Sequence, residues 1–536
     1  MFKKIDRIQK TIMGGAMIVA IFSILSRVLG LLRDRLLSST FGAGKILDAY
    51  YAAFRLPDLI FNTLVLGALS SAFIPVFLKY WQKDKKEAWH ITNGVLNVLF
   101  LIIFFLVVVC FFLTPIFIEY LVPGFDAPTK ALTVSLTRIM LWGTLFFTLS
   151  NIAGSVLNSF QKFFTYSLAP LMYNLGIIFG ILFLVERMGY QGLAWGVVLG
   201  SFLHLLIQIP ALMKSGYRWQ PIFNFTHPAI KKISRLMLPR CFGLAVSQFN
   251  FIVTTLVASS ITIGAVAIYN LSFNLINFPV SIFGISLAIS IFPVLSHCFA
   301  TGNKKLFVNH FSTTIRRIFY LILPTTVVLL ALRTQIVRLV LGAGLFTWRD
   351  TVLTAQTLGL FSVSLFAQSL IPIFARAFYA TQETKMPVKI AFVGFLVNMV
   401  GCLILGHLIG VEGLALAFSL AAIINFGLLY YYFNKKVFPL PNQEIMRAVV
   451  KIAGLSVLMV VIVQALKYLL GSWVNMQTFM GVLIQTSGVA LGGFLFYFFT
   501  SLSFGFSEVR VVTENIFKRV HNQRILQFLQ KLLRLK

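Results

Sequence analysis

Seven charged side chains cluster near the start of this sequence, inside stretches that are otherwise apolar. A charged side chain at the centre of a membrane-spanning helix costs roughly 2.5–3.5 kcal/mol, so such residues commonly face a cavity or a partner. Arginine stays charged, and its planar fork binds two phosphate oxygens at once. The cluster therefore predicts a binding site for an anion that carries phosphate. Its members are Arg27, Arg33, Asp34, Arg35, Asp48, Arg55 and Asp58.

The spacing within the cluster suggests a role for each residue. Arg27 and Arg33 are six residues apart, so they face one cavity only if their helix bends, and Gly30 between them allows a bend. Asp48 and Arg55 are seven residues apart and share a helix face. Asp48 cannot bind an anion. We expect it to orient an arginine or to exchange partners between transport states.

Structural explanations compete with these roles. Asp34 and Arg35 are expected to form a solvated pair at the membrane interface. Asp58 is equally well explained as a structural partner of Arg55, and a purely structural pairing of Asp48 with Arg55 also stays open. Arg27 is different, because no acidic residue lies within one helical turn of it.

The composition is that of a membrane protein. Of 536 residues, 58% are hydrophobic and only 11% are charged, whereas soluble domains carry roughly 25% charged residues. This excludes a water-soluble enzyme, a disordered chain and a disulfide-rich secreted domain. The net charge of +30 is better explained by basic loops facing anionic lipid than by nucleic acid, because no loop is long enough for a nucleic-acid-binding domain.

Fourteen apolar runs are long enough, at about 20 residues, to span a membrane. When most Lys and Arg residues close to a span end are counted with the adjoining loop, 32 of the 45 fall on one side and 7 on the other, and 6 are left to the spans and their ends. This bias predicts that both termini are cytoplasmic. The first, second, eighth and tenth runs are too long or too polar for straight, uniformly lipid-facing helices. The predicted spans are 12–37, 47–79, 91–114, 130–157, 168–185, 191–213, 233–258, 264–297, 314–332, 351–378, 388–409, 412–433, 448–470 and 478–503.

Proline motifs recur along the chain. Leu56-Pro57 and Ile74-Pro75 in the second span resemble Phe278-Pro279 and Phe292-Pro293 in the eighth, at offsets of 222 and 218 residues. Six helices separate the copies, so they share an orientation and are related by a pseudo-twofold axis along the membrane normal. We predict an all-α polytopic membrane protein with two six-helix lobes, 1–213 and 214–440. Two further helices (441–505) and a basic amphipathic cytoplasmic tail (506–536) follow.

Residues 26–77 contain a block of motifs: Ser26-Arg27-Val28-Leu29-Gly30, Arg33-Asp34, Asp48-Ala49-Tyr50-Tyr51, Phe54-Arg55-Leu56-Pro57 and Ala72-Phe73-Ile74-Pro75. This block resembles the MurJ (MviN) family of lipid II flippases, and weaker matches extend over most of residues 11–440. The resemblance implies two six-helix lobes with two added helices, a central cavity and alternating access by rocking of the lobes. It implies transport of undecaprenyl-diphosphate-disaccharide-pentapeptide to the outer leaflet of the bacterial inner membrane, for peptidoglycan and cell-wall biogenesis and cell shape.

The resemblance also implies which residues bind substrate. The family's functional arginines and aspartate carry over to Arg27, Arg33 and Asp48, and we expect Arg55 to help them hold the diphosphate. The lipid tail is expected to stay in the bilayer, along a groove made by helices 13 and 14. The expected hinge positions are Gly30, Pro57 and Pro279.

No enzymatic activity, metal or cofactor is expected, because the seven His and four Cys residues show no ligand spacing and no nucleotide-binding loop is present. The expected partners are the lipid-linked diphosphate and membrane lipids, with cell-wall synthesis proteins as further candidates and no nucleic acid. Membrane potential or a cation gradient would reset the transporter.

Three positions depart from the family pattern. Phe61 and Asn274 stand where family members often have arginines, and Leu66 replaces an acidic residue. Four other functions therefore stay open: export of another lipid-linked glycan, export of a drug or cation, polymerisation of glycan, and a transport-dead scaffold for cell-wall assembly. A drug or cation exporter needs acidic cavity residues, whereas arginine dominates here. A polymerase needs acidic catalytic residues in a surface loop, and the outer acids are scattered.

Overall fold

The computed structural model describes residues 12–66, 73–224 and 227–509. Within these ranges the chain forms α- and π-helices and no strand, which confirms the predicted all-α class. Most of the predicted amphipathic tail, from residue 510 onward, lies outside the described residues. The helices are α1 Ile12–Phe41, α2 Lys45–Ala53, α3 Arg55–Ile60, π1 Phe61–Leu66, α4 Ile74–Lys83, α5 Lys85–Leu121, α6 Ala127–Ser159, α7 Phe163–Phe179, π2 Gly180–Leu184, α8 Val185–Met188, α9 Gln191–Leu206, α10 Ile209–Met213, α11 Pro228–Ser259, α12 Ala265–Pro279, π3 Val280–Ile285, α13 Ser286–Ala300, α14 Lys304–Val340, α15 Trp348–Ser362, α16 Leu365–Ala380, α17 Lys385–Ile409, α18 Val411–Lys436, α19 Asn442–Trp473 and α20 Phe479–Ser503.

The described helices include ten that are long and apolar enough to cross a membrane, and the pair α15–α16, bent by 48°, makes an eleventh. The other three predicted spans coincide with α1, with the broken series α2–α4 and with α11. These segments carry more charge or are interrupted. The chain is therefore a multi-pass membrane protein, and the number fourteen stays a prediction.

Two of the long predicted spans change from α-helix to π-helix shortly after a proline. The second breaks between α2 and α3 and continues as π1, four residues beyond Pro57. The eighth changes from α12 to π3 directly after Pro279. Proline lacks the N–H that an α-helix needs, so neighbouring backbone groups must pair differently. π1 and π3 begin 219 residues apart, which agrees with the offset of the predicted repeat, whereas the first span forms the single unbroken helix α1.

One compact unit comprises Met1–Asn270, Val340–Asp350 and Cys402–Val411. Within it, glycines allow α7 and the following π2 to lie directly against α9. A Cβ added at Gly180 would lie 2.5 Å from the Cα of Gly196, and one added at Gly196 would lie 2.7 Å from the Cα of Gly180. Small residues at such crossings let helix backbones approach closely in membranes.

We expect Gly180→Leu to destabilise this unit, because the new side chain must push π2 away from α9. Overpacking of a tight contact costs about 1–3 kcal/mol, so the purified variant should show a lower midpoint of thermal unfolding in detergent. Gly427→Leu is the matched control, since a Cβ at Gly427 would meet nothing within 4 Å. Equal midpoints for the two variants would show that the glycine contact is not needed.

The second compact unit comprises Leu271–Leu339, Thr351–Gly401 and Glu412–Lys536. Its core is aromatic, and the rings of Phe311 and Phe374 lie 4.9 Å apart edge-to-face. Helices α19 and α20 pack together, and α20 is joined to α14 by a 2.7 Å hydrogen bond between Tyr320 and Ser501. The predicted lobe boundaries at 213/214 and 440/441 stay predictions.

Candidate functional site

Arg33 is held in a fixed orientation on α1. Its Nε and Nη2 donate to Oδ1 of Asp34 at 3.0 and 2.7 Å, and its Nη1 donates to Oδ1 of Asn174 at 3.2 Å. The Arg33 side chain is 20% exposed, whereas that of Asp34 is 3% exposed. The expected solvated pair of Asp34 with Arg35 is therefore wrong: Asp34 is buried and binds Arg33.

Asn174 on α7 connects two turns of α1. Its Nδ2 donates to the carbonyl of Ser26 at 3.3 Å and to Oγ of Ser26 at 3.4 Å, while its Oδ1 accepts from Arg33. A Cβ at Gly30 would lie 3.9 Å from the same Oδ1, so the glycine faces the amide. The sequence marks Asn174 as polar within an apolar span but does not reveal these contacts.

Arg27 lies on α1 next to Ser26 and is partly exposed. Within residues 12–66, 73–224 and 227–509, no hydrogen bond, ion pair or aromatic contact is recorded for its guanidinium. The structure therefore shows a bound and oriented Arg33 and an Arg27 whose donors are available to a ligand.

Asp48 on α2 binds a segment more than two hundred residues away. Its Oδ2 accepts from the N–H of Gly264 at 2.6 Å, and its Oδ1 accepts from the N–H of Ala267 at 2.8 Å. These groups belong to the turn before α12 and to its first turn, where unpaired N–H groups and the helix dipole favour an anion. Asp48 is 2% exposed, so it serves as a carboxylate cap for α12.

Gly264 is required by the geometry of this contact. Its φ of +87° lies in the left-handed region, and an added Cβ would collide with the carbonyl oxygen of Ala43. Only glycine fits such a backbone without strain. The segment before α2 and the turn before α12 are thus in direct contact.

Arg55 at the start of α3 binds the two helices on either side of the turn that Asp48 contacts. Its Nε donates to Oγ1 of Thr255 on α11 at 2.7 Å, and its Nη2 donates to Oδ1 of Asn270 on α12 at 2.7 Å. The ring of Phe251 lies 5.3 Å from the guanidinium. Arg55 is 8% exposed. The prediction that Arg55 contacts the substrate stays untested, but its observed hydrogen bonds are structural.

The alternative of an Asp48–Arg55 ion pair is wrong. The helix breaks at Phe54 between α2 and α3, and each side chain finds its own partners. Asp48 binds one backbone N–H group in the α11–α12 connection and one in the first turn of α12. Arg55 binds one side chain on α11 and one on α12. Together the two residues fasten α2 and α3 to α11 and α12.

A small cavity of about 160 Å³ lies beside this arrangement. Asp58 lines it, whereas the hydrogen bonds of the neighbouring Arg55 go to Thr255 and Asn270. Phe61, at a position where the resemblance implies an arginine, also lines it and packs on Phe147 with ring centroids 5.0 Å apart. The cavity wall is thus partly aromatic. Its lining residues are Phe54, Pro57, Asp58, Phe61, Asn62, Met140, Gly143, Thr144, Phe147, Tyr173 and Val197.

The remaining predicted positions are placed as follows. Pro57 lies in α3 and is buried, and Pro279 is the last residue of α12 and is buried. Gly30 lies within the unbroken α1. Asn274 is partly buried on α12, and Leu66 ends π1, with its side chain outside the described part of the chain. The hinge roles stay predictions.

Comparison with known proteins identifies the family. The family profile described as lipid II flippase MurJ matches residues 37–484. The chain belongs to the MurJ family. A probable lipid II flippase MurJ of Buchnera aphidicola subsp. Acyrthosiphon pisum is 30% identical over 475 residues, covering 87% of this chain and 92% of that protein. Lipid II flippase MurJ of Burkholderia cenocepacia is 29% identical over 447 residues, covering 82% and 87%.

A solved structure of a family member matches the described fold. It is described as lipid II flippase MurJ in an inward closed conformation, with a TM-score of 0.75 and 27% identity. The match covers 90% of this chain and 99% of that chain. Family membership and the all-α polytopic fold are therefore confirmed, while the individual substrate-binding residues are untested.

Proposed function

We propose that this chain moves lipid II from the inner to the outer leaflet of the bacterial cytoplasmic membrane by alternating access. Lipid II carries a diphosphate between its polyprenyl tail and its disaccharide-pentapeptide. In this proposal, Arg27 and Arg33 bind the diphosphate while the tail stays in the bilayer. MurJ-family membership supports the reaction, and the geometry of the first unit supports the binding residues.

The available guanidinium of Arg27 is the observation that carries the assignment of the site. A buried or half-buried arginine without a partner is unfavourable, because its charge loses hydration and gains nothing in return. A diphosphate supplies both charge and acceptor oxygens in the geometry that the arginine fork matches. Arg33 is already oriented by Asp34 and Asn174. Its exposed part can therefore contact the diphosphate without further ordering of the side chain.

Transport by this route needs no covalent step. The substrate must be bound from one leaflet, enclosed and released to the other. The proposed residues bind and release it through hydrogen bonds and charge, without forming covalent bonds. The distribution of Lys and Arg supports cytoplasmic termini. Membrane potential or a cation gradient is proposed to return the empty protein to its starting state.

The proposal is tested in a bacterium depleted of its own flippase. This chain is expressed there, its membrane insertion is confirmed, and lipid II in the outer leaflet is measured with an impermeant probe that cleaves the headgroup. Restored cleavage supports lipid II flipping. Absence of cleavage despite good insertion would contradict it.

A second candidate, transport of another lipid-linked glycan, is favoured by one observation. Phe61 packs on Phe147 where the family pattern often has a charged residue, so this wall offers an aromatic surface suited to a sugar ring. The same cells would then fail to expose lipid II but would expose the alternative glycan when its synthetic enzymes are supplied.

A further inference from the structure

Two basic side chains meet on one turn of α14. Nη1 of Arg333 donates to the carbonyl of Leu330 at 2.7 Å, and Nζ of Lys467 on α19 donates to the carbonyl of the next residue, Ala331, at 3.1 Å. Because these carbonyls belong to neighbouring residues of one helix, the guanidinium and the ammonium group lie on the same helical turn. Each group keeps further N–H donors, since arginine has five and lysine has three.

The surrounding helices hold the two side chains in place. The stem of Arg333 crosses Gly359 on α15, where an added Cβ would lie 3.2 Å from Cδ of Arg333. Lys467 is half-buried within α19, and its own carbonyl accepts Nε2 of Gln485 on α20 at 2.8 Å. All four helices belong to the second compact unit, so the position of the pair is fixed within one unit.

No carboxylate neutralises this pair. Within the described part of the chain, no ion pair involves Arg333 or Lys467. The same holds for Arg338 further along α14, whose Nη2 donates to the carbonyl of Gln477 at 3.2 Å. Like charges placed side by side repel each other, and a bound anion removes that repulsion. The donors that stay available therefore favour a ligand with more than one negative charge.

The general charge bias of the chain does not explain this group of basic residues. The predicted spans place only 7 of the 45 Lys and Arg residues on the outer side of the membrane. Arg333, Arg338 and Lys467 are three of these seven. Outer segments of membrane proteins are usually poor in basic residues, so three of them together at one end of α14 indicate a specific role.

Exposed side chains around Lys467 indicate a position at the membrane surface. Tyr468, the next residue, is 79% exposed, and Trp473 at the end of α19 is 77% exposed. Tyrosine and tryptophan are enriched where helices leave the hydrocarbon core. Leu469 is 51% exposed, so apolar surface lies beside the cations. This combination suits the headgroup of a lipid better than a soluble anion.

We propose that Arg333 and Lys467 form a second diphosphate site, which holds the lipid-linked diphosphate at the outer leaflet before the lipid leaves the protein. A lipid-linked diphosphate carries two negative charges and several acceptor oxygens, so it matches the two cations, whereas the phosphate of a phospholipid carries one charge. The site is separate from Arg27 and Arg33, which belong to the first compact unit. This inference rests on the proposed transport of a lipid-linked diphosphate.

Labelling of a nearby thiol reports binding at this place alone. Tyr468→Cys is introduced into a chain whose native cysteines are replaced by serine, and the purified full-length protein in nanodiscs is labelled with an impermeant maleimide. We expect undecaprenyl diphosphate to slow labelling about tenfold relative to undecaprenol, which has the same tail and no charge. In the double variant Arg333→Gln with Lys467→Gln, the two lipids should give equal rates.

Two other anions test the class of ligand. Phosphatidylglycerol carries a single charge, and inorganic pyrophosphate has no apolar chain. At the same concentration, each should slow labelling by about twofold or less. Protection by phosphatidylglycerol equal to that by undecaprenyl diphosphate would make this an ordinary phospholipid site and overturn the proposal. Equal protection by pyrophosphate would also overturn it, because the ligand would then be a soluble anion.

A matched control keeps the change in net charge the same. The double variant Arg187→Gln with Arg349→Gln removes two exposed basic residues outside the pair and should be protected by undecaprenyl diphosphate as the wild type is. Equal loss of protection in both double variants would contradict a local site, since overall charge would then explain the result.

A second variant separates charge from packing. Arg333→Lys combined with Lys467→Arg keeps both cations and should keep most of the protection. If this variant loses protection as fully as the double glutamine variant does, altered packing explains the loss and the assignment fails.

The outcome is also separable from that of the flipping assay. Protection should persist in Arg27→Ala, because Arg27 belongs to the other compact unit. Protection without lipid II flipping would contradict the proposed function and leave the second diphosphate site standing. Flipping without protection would contradict only the second site.

Discussion

Arg27→Ala is expected to abolish lipid II flipping while leaving the protein folded and inserted. A hydrogen bond to a charged group contributes about 1.5–3 kcal/mol, so loss of a two-pronged contact with the diphosphate should weaken transport by about a hundredfold or more. The folded state should lose little, because no described residue is recorded as a partner of Arg27. The measurement is outer-leaflet lipid II in flippase-depleted cells, normalised to inserted protein.

Two further variants sharpen this expectation. Arg27→Lys keeps the charge but loses the planar fork, so it should fall between wild type and Arg27→Ala. Arg349→Ala removes an exposed arginine outside the site and should flip normally. Normal flipping by Arg27→Ala would remove this residue from the site.

Asp48→Asn is expected to open the contact between α2 and the start of α12. The carboxylate makes two hydrogen bonds to backbone N–H groups, and the neutral amide has only one acceptor oxygen and no charge. The loss should be about 2–4 kcal/mol, which corresponds to a shift of tenfold or more in the closed-to-open equilibrium. Flipping should fall because the protein would no longer close at the contact between α2 and α12 between transport cycles.

Closure can be measured with a thiol reporter. Ser26→Cys places a thiol beside Arg27, in a chain whose native cysteines, Cys110, Cys241, Cys298 and Cys402, are replaced by serine. An impermeant maleimide added outside should label this thiol about tenfold faster when Asp48→Asn is also present. The matched control is Asp126→Asn.

Asp126 is a second carboxylate close to the start of α2, where it pairs with Lys45, but unlike Asp48 it is exposed. Its hydrogen bonds with Lys45 and Thr129 lower its pKa to about 2, so it stays ionised at physiological pH. Its ion pair with Lys45 is solvent-exposed and therefore contributes little to stability. Equal labelling in the Asp48→Asn and Asp126→Asn backgrounds would contradict the capping role of Asp48.

Much of the architecture follows from local sequence properties. Long apolar runs predict helices because the backbone must satisfy its own hydrogen bonds in a bilayer. The same reasoning marks the first, second, eighth and tenth spans as irregular. The structure breaks the last three, at Phe54, after Pro279 and between α15 and α16, whereas the first forms the unbroken helix α1. Proline and polar content are local signals, so these breaks are readable from sequence.

The partners of the charged residues are not local and could not be predicted. Asp48 binds Gly264 and Ala267, and Arg55 binds Thr255 and Asn270, all about two hundred residues away. Helical spacing placed Asp48 and Arg55 on one face, but the helix breaks at Phe54 between them. Each side chain binds distant groups instead, so the alternative of a structural Asp48–Arg55 pair failed.

Asn174 is a second residue whose hydrogen-bond partners could not be predicted from the sequence. A neutral amide in an apolar span indicates a hydrogen bond somewhere, since a buried amide without a partner is costly. Its actual partners, Arg33 and Ser26, depend on how α7 packs against α1. That packing is set by the tertiary fold.

The most direct test of the account is whether lipid II recognition depends on its diphosphate through Arg27. Purified wild-type protein and Arg27→Ala are each titrated with lipid II and with uncharged undecaprenol in the same nanodiscs. The account predicts that the wild type prefers lipid II by about a hundredfold and that Arg27→Ala loses most of this preference. Equal preference in the two proteins would contradict the claim that the arginines on α1 hold the diphosphate.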